Sequence, residues 1–264
     1  MYAIIGGSGV YDPDMLSQQE ERIVETPFGA VEVTVGTFKG AEVAFLPRHG
    51  GGHSQPPHLI NYRANMWALH ELGVERIVST SAVGSLNEDV APGSYVVLSD
   101  FIDFTKRRPT TFYEGPSSLV PEKDVVHIDV TRPYCPQLRS IAYDSGIKCG
   151  MQMIDGGTYV CTEGPRFETA AEIRMYSMLG GDVIGMTNVP EVVLARELEI
   201  CYASIAMVTN FAAGISGEKL THAEVLDIMG KNKKNIQRLF KVIIPSIPKS
   251  RDCECASLLE GAKG

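Results

Sequence analysis

The stretch Tyr2-Ala-Ile-Ile-Gly-Gly-Ser-Gly9 runs from an apolar strand directly into a glycine-rich turn. The same order recurs where the apolar run Arg76–Thr80 is followed by small and hydroxyl side chains as far as Ser85. Segments with helical periodicity lie between such strands, and Leu59–Leu72 is the first of them. This alternation predicts an α/β fold with a mixed, largely parallel sheet flanked by helices.

The rest of the chain continues the alternation. Further strands are predicted at Val31–Val35, Glu42–Leu46, Ser94–Ile102, Thr158–Cys161, Asp182–Gly185 and Tyr202–Thr209, with a hairpin turn at Lys39-Gly40 between the first two. Further helices are predicted at Pro136–Asp144, Glu168–Leu179, Glu191–Glu199 and Ala223–Val242. No linker-like stretch or internal repeat divides these elements, so we predict one domain over residues 1–264, ending in a short tail.

Composition narrows the class of protein. The chain has 264 residues, of which 44% are apolar and 21% charged, enough to bury a sizeable core. No apolar run approaches the ~20 residues of a membrane span, and the first residues lack the basic segment of a signal peptide. A net charge of −8 without a basic stripe disfavours nucleic-acid binding. We therefore expect a cytoplasmic protein.

The six cysteines are too sparse for a secreted disulfide scaffold of this length. Cys253-Glu254-Cys255 in the tail could be a redox-active pair, half of a metal site, or two thiols on a mobile tail. The sequence shows no Cys-x-x-Cys or Cys/His cluster to complete a zinc site. We therefore predict no metal.

Four segments carry glycine or polar residues where a strand is predicted to end: Gly6–Gly9, Arg48–Gly50, Ser79–Ser85 and Thr209–Gly214. Ligands of open α/β sheets bind at the carboxyl ends of strands. The first segment is not a dinucleotide fingerprint, because Asp12 stands where the third glycine is required. A glycine turn that includes Ser8 can instead wrap an anion with its backbone N–H groups.

Two of the other segments add donors for an anion. The planar fork of Arg48 matches phosphate oxygens, and His49 supplies a further donor; a surface arginine beside a structural histidine is the alternative interpretation. Ser81 lies among small and hydroxyl residues that also suit an oxyanion. Donor-rich segments without a metal motif together predict a bound phosphate.

The chain resembles the trimeric purine nucleoside phosphorylase and methylthioadenosine phosphorylase family nearly from end to end. The motifs that carry the resemblance are Gly6-Gly-Ser-Gly9, Arg48-His-Gly50, Asn61-Tyr-Arg-Ala-Asn65, Thr80-Ser-Ala-Val-Gly84, Glu163-Gly-Pro-Arg-Phe-Glu-Thr169 and Gly185-Met-Thr-Asn-Val-Pro-Glu-Val192. The resemblance implies a single domain around a partly barrel-like sheet, assembled as a homotrimer or a dimer of trimers. It also implies a nucleoside substrate with inorganic phosphate as co-substrate, and no cofactor.

The resemblance assigns roles to individual residues. Phosphate would be bound by Ser8, Arg48, His49, Ser81, the backbone N–H of Ala82, and Thr187. Phe167 would stack on the base and Met186 would pack under the ribose. His127 would reach the sugar pocket of a neighbouring subunit, with a purely structural histidine as the alternative. In relatives from hot environments a Cys-x-Cys pair is sometimes closed, which implies a disulfide between Cys253 and Cys255.

The base-binding positions differ from the methylthioadenosine branch of that family. Asn210 and Ala212 stand where that branch carries aspartates, and the amide of Asn210 can donate to O6 and accept from a protonated N7. Glu168, absent from that branch, can accept from N1–H of hypoxanthine or guanine; a glutamate that serves only a helix dipole is the alternative. His222 matches the histidine that 6-oxopurine phosphorylases place near the 5′-hydroxyl.

These residues predict a phosphorylase of inosine and guanosine in purine salvage, with Asn210 and Glu168 as its catalytic groups. An S-methyl-5′-thioinosine phosphorylase is the second interpretation and a methylthioadenosine phosphorylase the third. A non-catalytic nucleoside-binding protein would not need Arg48 and Ser8. A nicotinamide oxidoreductase is disfavoured by Asp12.

Overall fold

The computed structural model describes residues 1–6, 15–120, 124–216 and 222–263. Within these ranges eleven strands form one sheet: β1 Tyr2–Gly6, β2 Ser17–Val24, β3 Val31–Phe38, β4 Ala41–Pro47, β5 Arg76–Ser85, β6 Tyr95–Val97, β7 Asp100–Phe104, β8 Met153–Asp155, β9 Thr158–Thr162, β10 Val183–Gly185 and β11 Cys201–Phe211. The α-helices of the same ranges are α1 Tyr62–Glu71, α2 Pro136–Lys148, α3 Ala170–Met178, α4 Asn188–Glu197 and α5 His222–Ser246. The predicted α/β class is confirmed.

The sheet is mixed and it branches. Its main path runs β2-β3-β4-β1-β5-β10-β9-β7, while β11 pairs with β5 and continues through β6 to β8. The pairs β1–β4, β1–β5, β5–β11, β6–β8, β9–β10 and β7–β9 are parallel. The pairs β2–β3, β3–β4, β5–β10 and β6–β11 are antiparallel. The branch point is β5.

The core lies on both faces of this sheet. In β1 the side chain of Ile5 packs in one apolar cluster and that of Ile4 in the other, as the two-residue period of a strand requires. The first cluster contains residues of α1 and α4, and the second contains residues of α2 and α5, so helices cover both faces. No helix in the described ranges is long and apolar enough to cross a membrane.

Several predicted boundaries were wrong for identifiable reasons. The single strand predicted at Ser94–Ile102 is two strands, because the chain stops pairing with β11 after Val97 and pairs with β9 from Asp100. The exposed strand β2 was missed because its sequence is largely polar, and it is held by its ladder to β3. Ser79–Ser85, predicted as a segment after a strand, lies inside β5 because β11 and β10 pair with it to its end.

Candidate active site

A gap in the pairing of β5 opens the sheet at one point. On one edge of β5, β1 pairs as far as Ser79, and β10 begins only at Gly84. The opposite edge pairs with β11 throughout. Among the described residues, the four from Thr80 to Val83 therefore have no strand on the first edge.

A β-bulge in β11 lies beside this gap. The register with β5 shifts between Val208 and Asn210, so Thr209 is the extra residue. Bulges re-aim side chains and recur next to active sites. The Thr209 hydroxyl lies 3.1 Å from the carbonyl oxygen of Val83 and 2.8 Å from Oδ1 of Asn210.

A cavity of about 260 Å³ occupies the gap. Asn210 pairs with Gly84, three residues beyond Ser81 on β5, so polar groups of the lining lie about 10 Å apart along the strand, and we call these two positions the ends of the cavity. The residues that line it are Arg48, His49, Pro57, Thr80, Ser81, Ala82, Val83, Gly84, Pro165, Phe167, Glu168, Ile184, Gly185, Met186, Thr187, Met207, Thr209, Asn210, Ala212, Met229 and Ile236. The cavity thus unites three of the four segments that the sequence singled out, from positions as far apart as Arg48 and Ala212.

Arg48 is buried at one end and is held from inside the protein. Its Nε and Nη2 donate to the carboxylate of Glu191 at 2.7 and 2.8 Å, Nη2 also donates to the Ser79 hydroxyl at 2.7 Å, and Nη1 donates to the Thr80 carbonyl at 2.8 Å. Tyr202 donates to the same carboxylate at 2.6 Å. The fork predicted to grip phosphate in a bidentate way therefore grips Glu191, which leaves one Nη1 N–H outside these bonds.

Unlike the guanidinium of Arg48, two hydroxyls beside it are not held by hydrogen bonds within the described structure. The side-chain oxygens of Thr80 and Ser81 are buried and have no hydrogen-bond partner in the described structure. Buried polar groups are nearly always paired, so an unpaired one indicates a missing ligand or water. Thr187 also lines the cavity, directly before Asn188, the first residue of α4.

His49 lines the same end of the cavity. Its Nδ1 lies 2.9 Å from the carbonyl oxygen of Gln55. Since a carbonyl only accepts, Nδ1 carries a proton and donates it there. This contact fixes the tautomer and the orientation of the ring.

Glu168 lies at the other end. It stands one residue before Thr169, the N-cap of α3, and Glu172 completes the capping box with Thr169. Glu172 therefore caps the helix terminus, whereas Glu168 lies outside the capping box. Oε1 of Glu168 accepts a hydrogen bond of 2.6 Å from Thr162, and burial raises the pKa of Glu168, partly offset by that bond.

Asn210 faces the same end and is oriented by two local bonds. Its Nδ2 donates to the carbonyl of Phe211 at 2.8 Å, and its Oδ1 meets the Thr209 hydroxyl at 2.8 Å. Each end of the amide has capacity for one more hydrogen bond. The amide can therefore donate and accept toward a ligand at once.

The remaining predicted residues divide into three groups. Phe167, Met186, Ala82 and Ala212 line the cavity, and Phe167 is 40% exposed at its rim. His127 is exposed, lies outside the cavity lining, and donates its backbone N–H to Ala262 at 2.9 Å. Two predicted groups lie outside what the structure describes: the whole of Ser8 and the side chain of His222.

Sequence reasoning missed three contributors. Glu191, Tyr202 and Thr80 had no assigned role, although Glu191 and Thr80 belong to motifs already quoted. A glutamate inside the apolar segment from Val189 to Val193 was the available signal, because an acid there needs a buried cation.

Comparison with known proteins agrees with this geometry. The Phosphorylase superfamily matches residues 1–245. The chain is 58% identical to the 6-oxopurine nucleoside phosphorylase of Pyrococcus furiosus, over 99% of this chain and 98% of that one. It is 49% identical to a Methanothermobacter thermautotrophicus protein named probable S-methyl-5′-thioinosine phosphorylase, over 99% and 90%. A solved methylthioadenosine phosphorylase from an Antarctic soil metagenomic library superposes with a TM-score of 0.92 at 37% identity, over 100% and 92%.

Proposed function

The chain belongs to the phosphorylase superfamily, and we propose that it is a purine nucleoside phosphorylase selective for 6-oxopurines. It cleaves inosine and guanosine with inorganic phosphate, releasing the base and ribose 1-phosphate for purine salvage. One observation carries the proposal: a single cavity has unpaired buried hydroxyls at one end and Glu168 with Asn210 at the other. The 58% identity to a 6-oxopurine nucleoside phosphorylase supports it.

The phosphate end offers donors from backbone as well as side chains. Arg48 donates to the Thr80 carbonyl, which therefore points to the open edge of β5, while the carbonyls of Val83 and Ser85 accept bonds from the β11 side. Backbone groups two residues apart on a strand point the same way. The N–H of Ala82 therefore points into the gap, as the assigned phosphate contact requires.

Uncharged hydrogen-bond donors are well suited to binding inorganic phosphate as the co-substrate. Glu191 balances the charge of Arg48, so the phosphate is held mainly by Thr80, Ser81, Thr187 and the Ala82 N–H. Ser8 remains a predicted phosphate ligand at the same end of the cavity. Neutral donors position the dianion and leave it nucleophilic.

The reaction follows from where charge develops. As the C1′–N9 bond breaks and a phosphate oxygen bonds to C1′, positive charge grows on the ribose and negative charge on the purine. The departing purine takes up one proton at N7, and the phosphate, which loses its proton as it becomes the ester, balances it; Asn210 donates toward O6 and accepts from N7–H, which stabilises the departing base. No covalent nucleophile, metal or cofactor takes part in this scheme.

Glu168 sets the base selectivity. Hypoxanthine and guanine present N1–H to its carboxylate, whereas adenine presents a bare acceptor. A site built to hydrogen-bond a group rejects the analogue that lacks it, because its own polar groups are left unpaired. Phe167 stacks on the base and Met186 packs under the ribose.

Assembly as a trimer, or as a dimer of trimers, is part of the proposal. The chain around His127 carries exposed apolar side chains at Leu119, Val125 and Val130. Clustered exposed apolar residues mark association surfaces. An interface there would bring His127 of the partner subunit to the sugar. A cytoplasmic location stays a prediction.

S-methyl-5′-thioinosine phosphorylase is the second candidate, supported by the 49% identical relative of that name. It shares the need for an N1–H acceptor and differs only at the 5′ group. The predicted role of His222 near a 5′-hydroxyl favours inosine.

The test is a product assay with and without inorganic phosphate on inosine, guanosine, adenosine and S-methyl-5′-thioinosine. We expect phosphate-dependent release of hypoxanthine and guanine, with adenosine slower by orders of magnitude. Preference for adenosine would overturn the selectivity, and base release without phosphate would overturn the phosphorylase assignment. A higher kcat/KM on the methylthio substrate would select the second candidate.

A further inference from the structure

Four cysteine side chains meet far from the cavity. The Sγ atoms of Cys135, Cys201, Cys253 and Cys255 all lie within 4.8 Å of one another, and those of Cys201 and Cys253 are 3.5 Å apart. All four are free thiols, so the disulfide expected between Cys253 and Cys255 is not formed in this structure. Three of the four are buried and Cys253 is partly buried.

Three separate segments bring these thiols together. Cys135 immediately precedes α2 and Cys201 begins β11, and the N–H of Cys135 donates to the carbonyl of Tyr202 at 2.8 Å. The tail delivers the other two. Arg251 donates to the carbonyl of Glu199 at 3.0 Å and so anchors the tail beside β11.

The arrangement fits one metal ion. Four sulfurs bound tetrahedrally at about 2.3 Å from zinc lie about 3.8 Å from one another. The 3.5 Å contact and the 4.8 Å limit bracket that separation. Four thiolates leave no open position, which is the pattern of a structural rather than a catalytic zinc.

We propose that Cys135, Cys201, Cys253 and Cys255 bind a single zinc ion, which clamps the C-terminal tail onto the start of α2 and of β11. The prediction of no metal rested on the lack of partner cysteines at short spacing in the sequence. Here the partners of the Cys-x-Cys pair come from elsewhere in the chain and only the fold supplies them.

The surroundings suit the charge of such a centre. Zinc with four thiolates carries a net charge of −2, which needs compensation in an apolar cluster. The guanidinium of Arg196 is buried close enough to interact electrostatically with Cys255 and Cys135. Its Nε and Nη2 donate to the carbonyl of Asp129 at 3.1 and 2.8 Å, which fixes its position.

The clamp is separate from the chemistry. Cys201 and Asn210 stand at opposite ends of β11, and nine residues of strand span about 30 Å. Zinc binding is therefore expected to stabilise the tail and the fold, since metal affinity adds to folding free energy. It should leave turnover by the folded enzyme unchanged.

The test measures metal content in protein expressed with added zinc and purified under anaerobic, reducing conditions. Inductively coupled plasma mass spectrometry should find one zinc per chain in the wild type and close to none in Cys255→Ser. The matched control is Cys149→Ser, a buried cysteine of the same apolar cluster that lies outside the four. It should keep its zinc. Cobalt added to the apoprotein should give the intense charge-transfer absorption of tetrahedral cobalt thiolate.

Measurements on the wild-type protein test the zinc proposal even if Cys255→Ser fails to fold. A chelator should remove the zinc and lower Tm, and added zinc should restore both. Wild type that stays metal-free after zinc is added to its fully reduced form would overturn the proposal. So would intact mass showing two disulfides in protein kept under reductant.

Discussion

Glu191 holds the guanidinium of Arg48 by two hydrogen bonds, 2.7 Å from Nε to Oε2 and 2.8 Å from Nη2 to Oε1. Both side chains are almost completely buried, at 2% and 1% exposure. Burial by itself lowers the pKa of Arg48, and the carboxylate more than reverses that effect. Arg48 is therefore both a wall of the phosphate end and a charged group inside the core.

The first prediction concerns this pair. Arg48→Ala should leave Glu191 buried without its cation, and breaking a buried pair in this way costs about 3–5 kcal/mol of unfolding free energy. Chemical denaturation measures it. The double variant Arg48→Met with Glu191→Leu should recover much of the lost stability. Its phosphate KM should not return to the wild-type value. If Arg48→Ala is as stable as wild type, the pair is not a core element.

The second prediction concerns Ser81. Its buried hydroxyl has no hydrogen-bond partner among the described residues, so Ser81→Ala should barely change Tm. It should raise the phosphate KM about tenfold or more, because a hydrogen bond to a charged group is worth about 1.5–3 kcal/mol. Ser204→Ala is the matched control, since its hydroxyl is also buried and without a partner in the described part of the chain, but does not line the cavity. Equal phosphate KM values for the two variants would remove Ser81 from the site.

The third prediction is the base selectivity. Asn210→Asp should lower kcat/KM for inosine and recover some activity on adenosine, because a protonated Asp can donate to N7 while its other oxygen accepts from the 6-amino group. Glu168→Ser combined with Asn210→Asp should shift the ratio further by removing the acid that confronts N1. Steady-state kinetics on both nucleosides for wild type, Asn210→Asp and the double variant measure the change in selectivity. A selectivity ratio that none of the variants changes would contradict the assigned contacts.

The fourth prediction is a pH dependence that follows from Glu168. The ionised form of Glu168 accepts N1–H more strongly than the protonated form, and burial raises the pKa of Glu168 above the ordinary glutamate value. As pH falls through that raised pKa, kcat/KM for inosine at saturating phosphate should decline, earlier than for an ordinary glutamate. Glu168→Gln keeps an acceptor oxygen without the titration, so this acidic decline should be missing from its profile. An unchanged profile in that variant would assign the decline to another group.

The fifth prediction concerns assembly. If His127 of the partner subunit completes the sugar pocket, activity should be lost on dilution in parallel with dissociation. Analytical ultracentrifugation and initial rates over the same concentration range test this. His127→Ala should raise the nucleoside KM and leave the phosphate KM unchanged. Full activity in a demonstrably monomeric sample would return His127 to a structural role.

Most of the fold could be predicted from local pattern. The strand at Tyr2–Gly6, the hairpin at Lys39-Gly40 and the five helices were found because hydrophobic period and turn residues are properties of neighbours in sequence. The polar strand β2 and the division between β6 and β7 were missed because both depend on which strand lies alongside.

Some features of the candidate site could likewise be predicted from the sequence, and others could not. The resemblance of the sequence motifs to a known family predicted roles for Ser81, Thr187, Glu168 and Asn210, and the structure brings all four to one cavity. Sequence did not reveal that the fork of Arg48 belongs to Glu191. That pairing joins residues 143 positions apart in the chain.

The sequence by itself therefore determined the fold class, which follows from short-range pattern, and the family, which follows from its motifs. Only the tertiary structure decided which donors remain for phosphate, where the ladder of β5 opens, and that four distant cysteines share one point. Those features depend on contacts between segments far apart in the chain. When such a segment is buried, a polar or charged group that lacks a partner costs free energy, so the tertiary contacts decide which groups are paired.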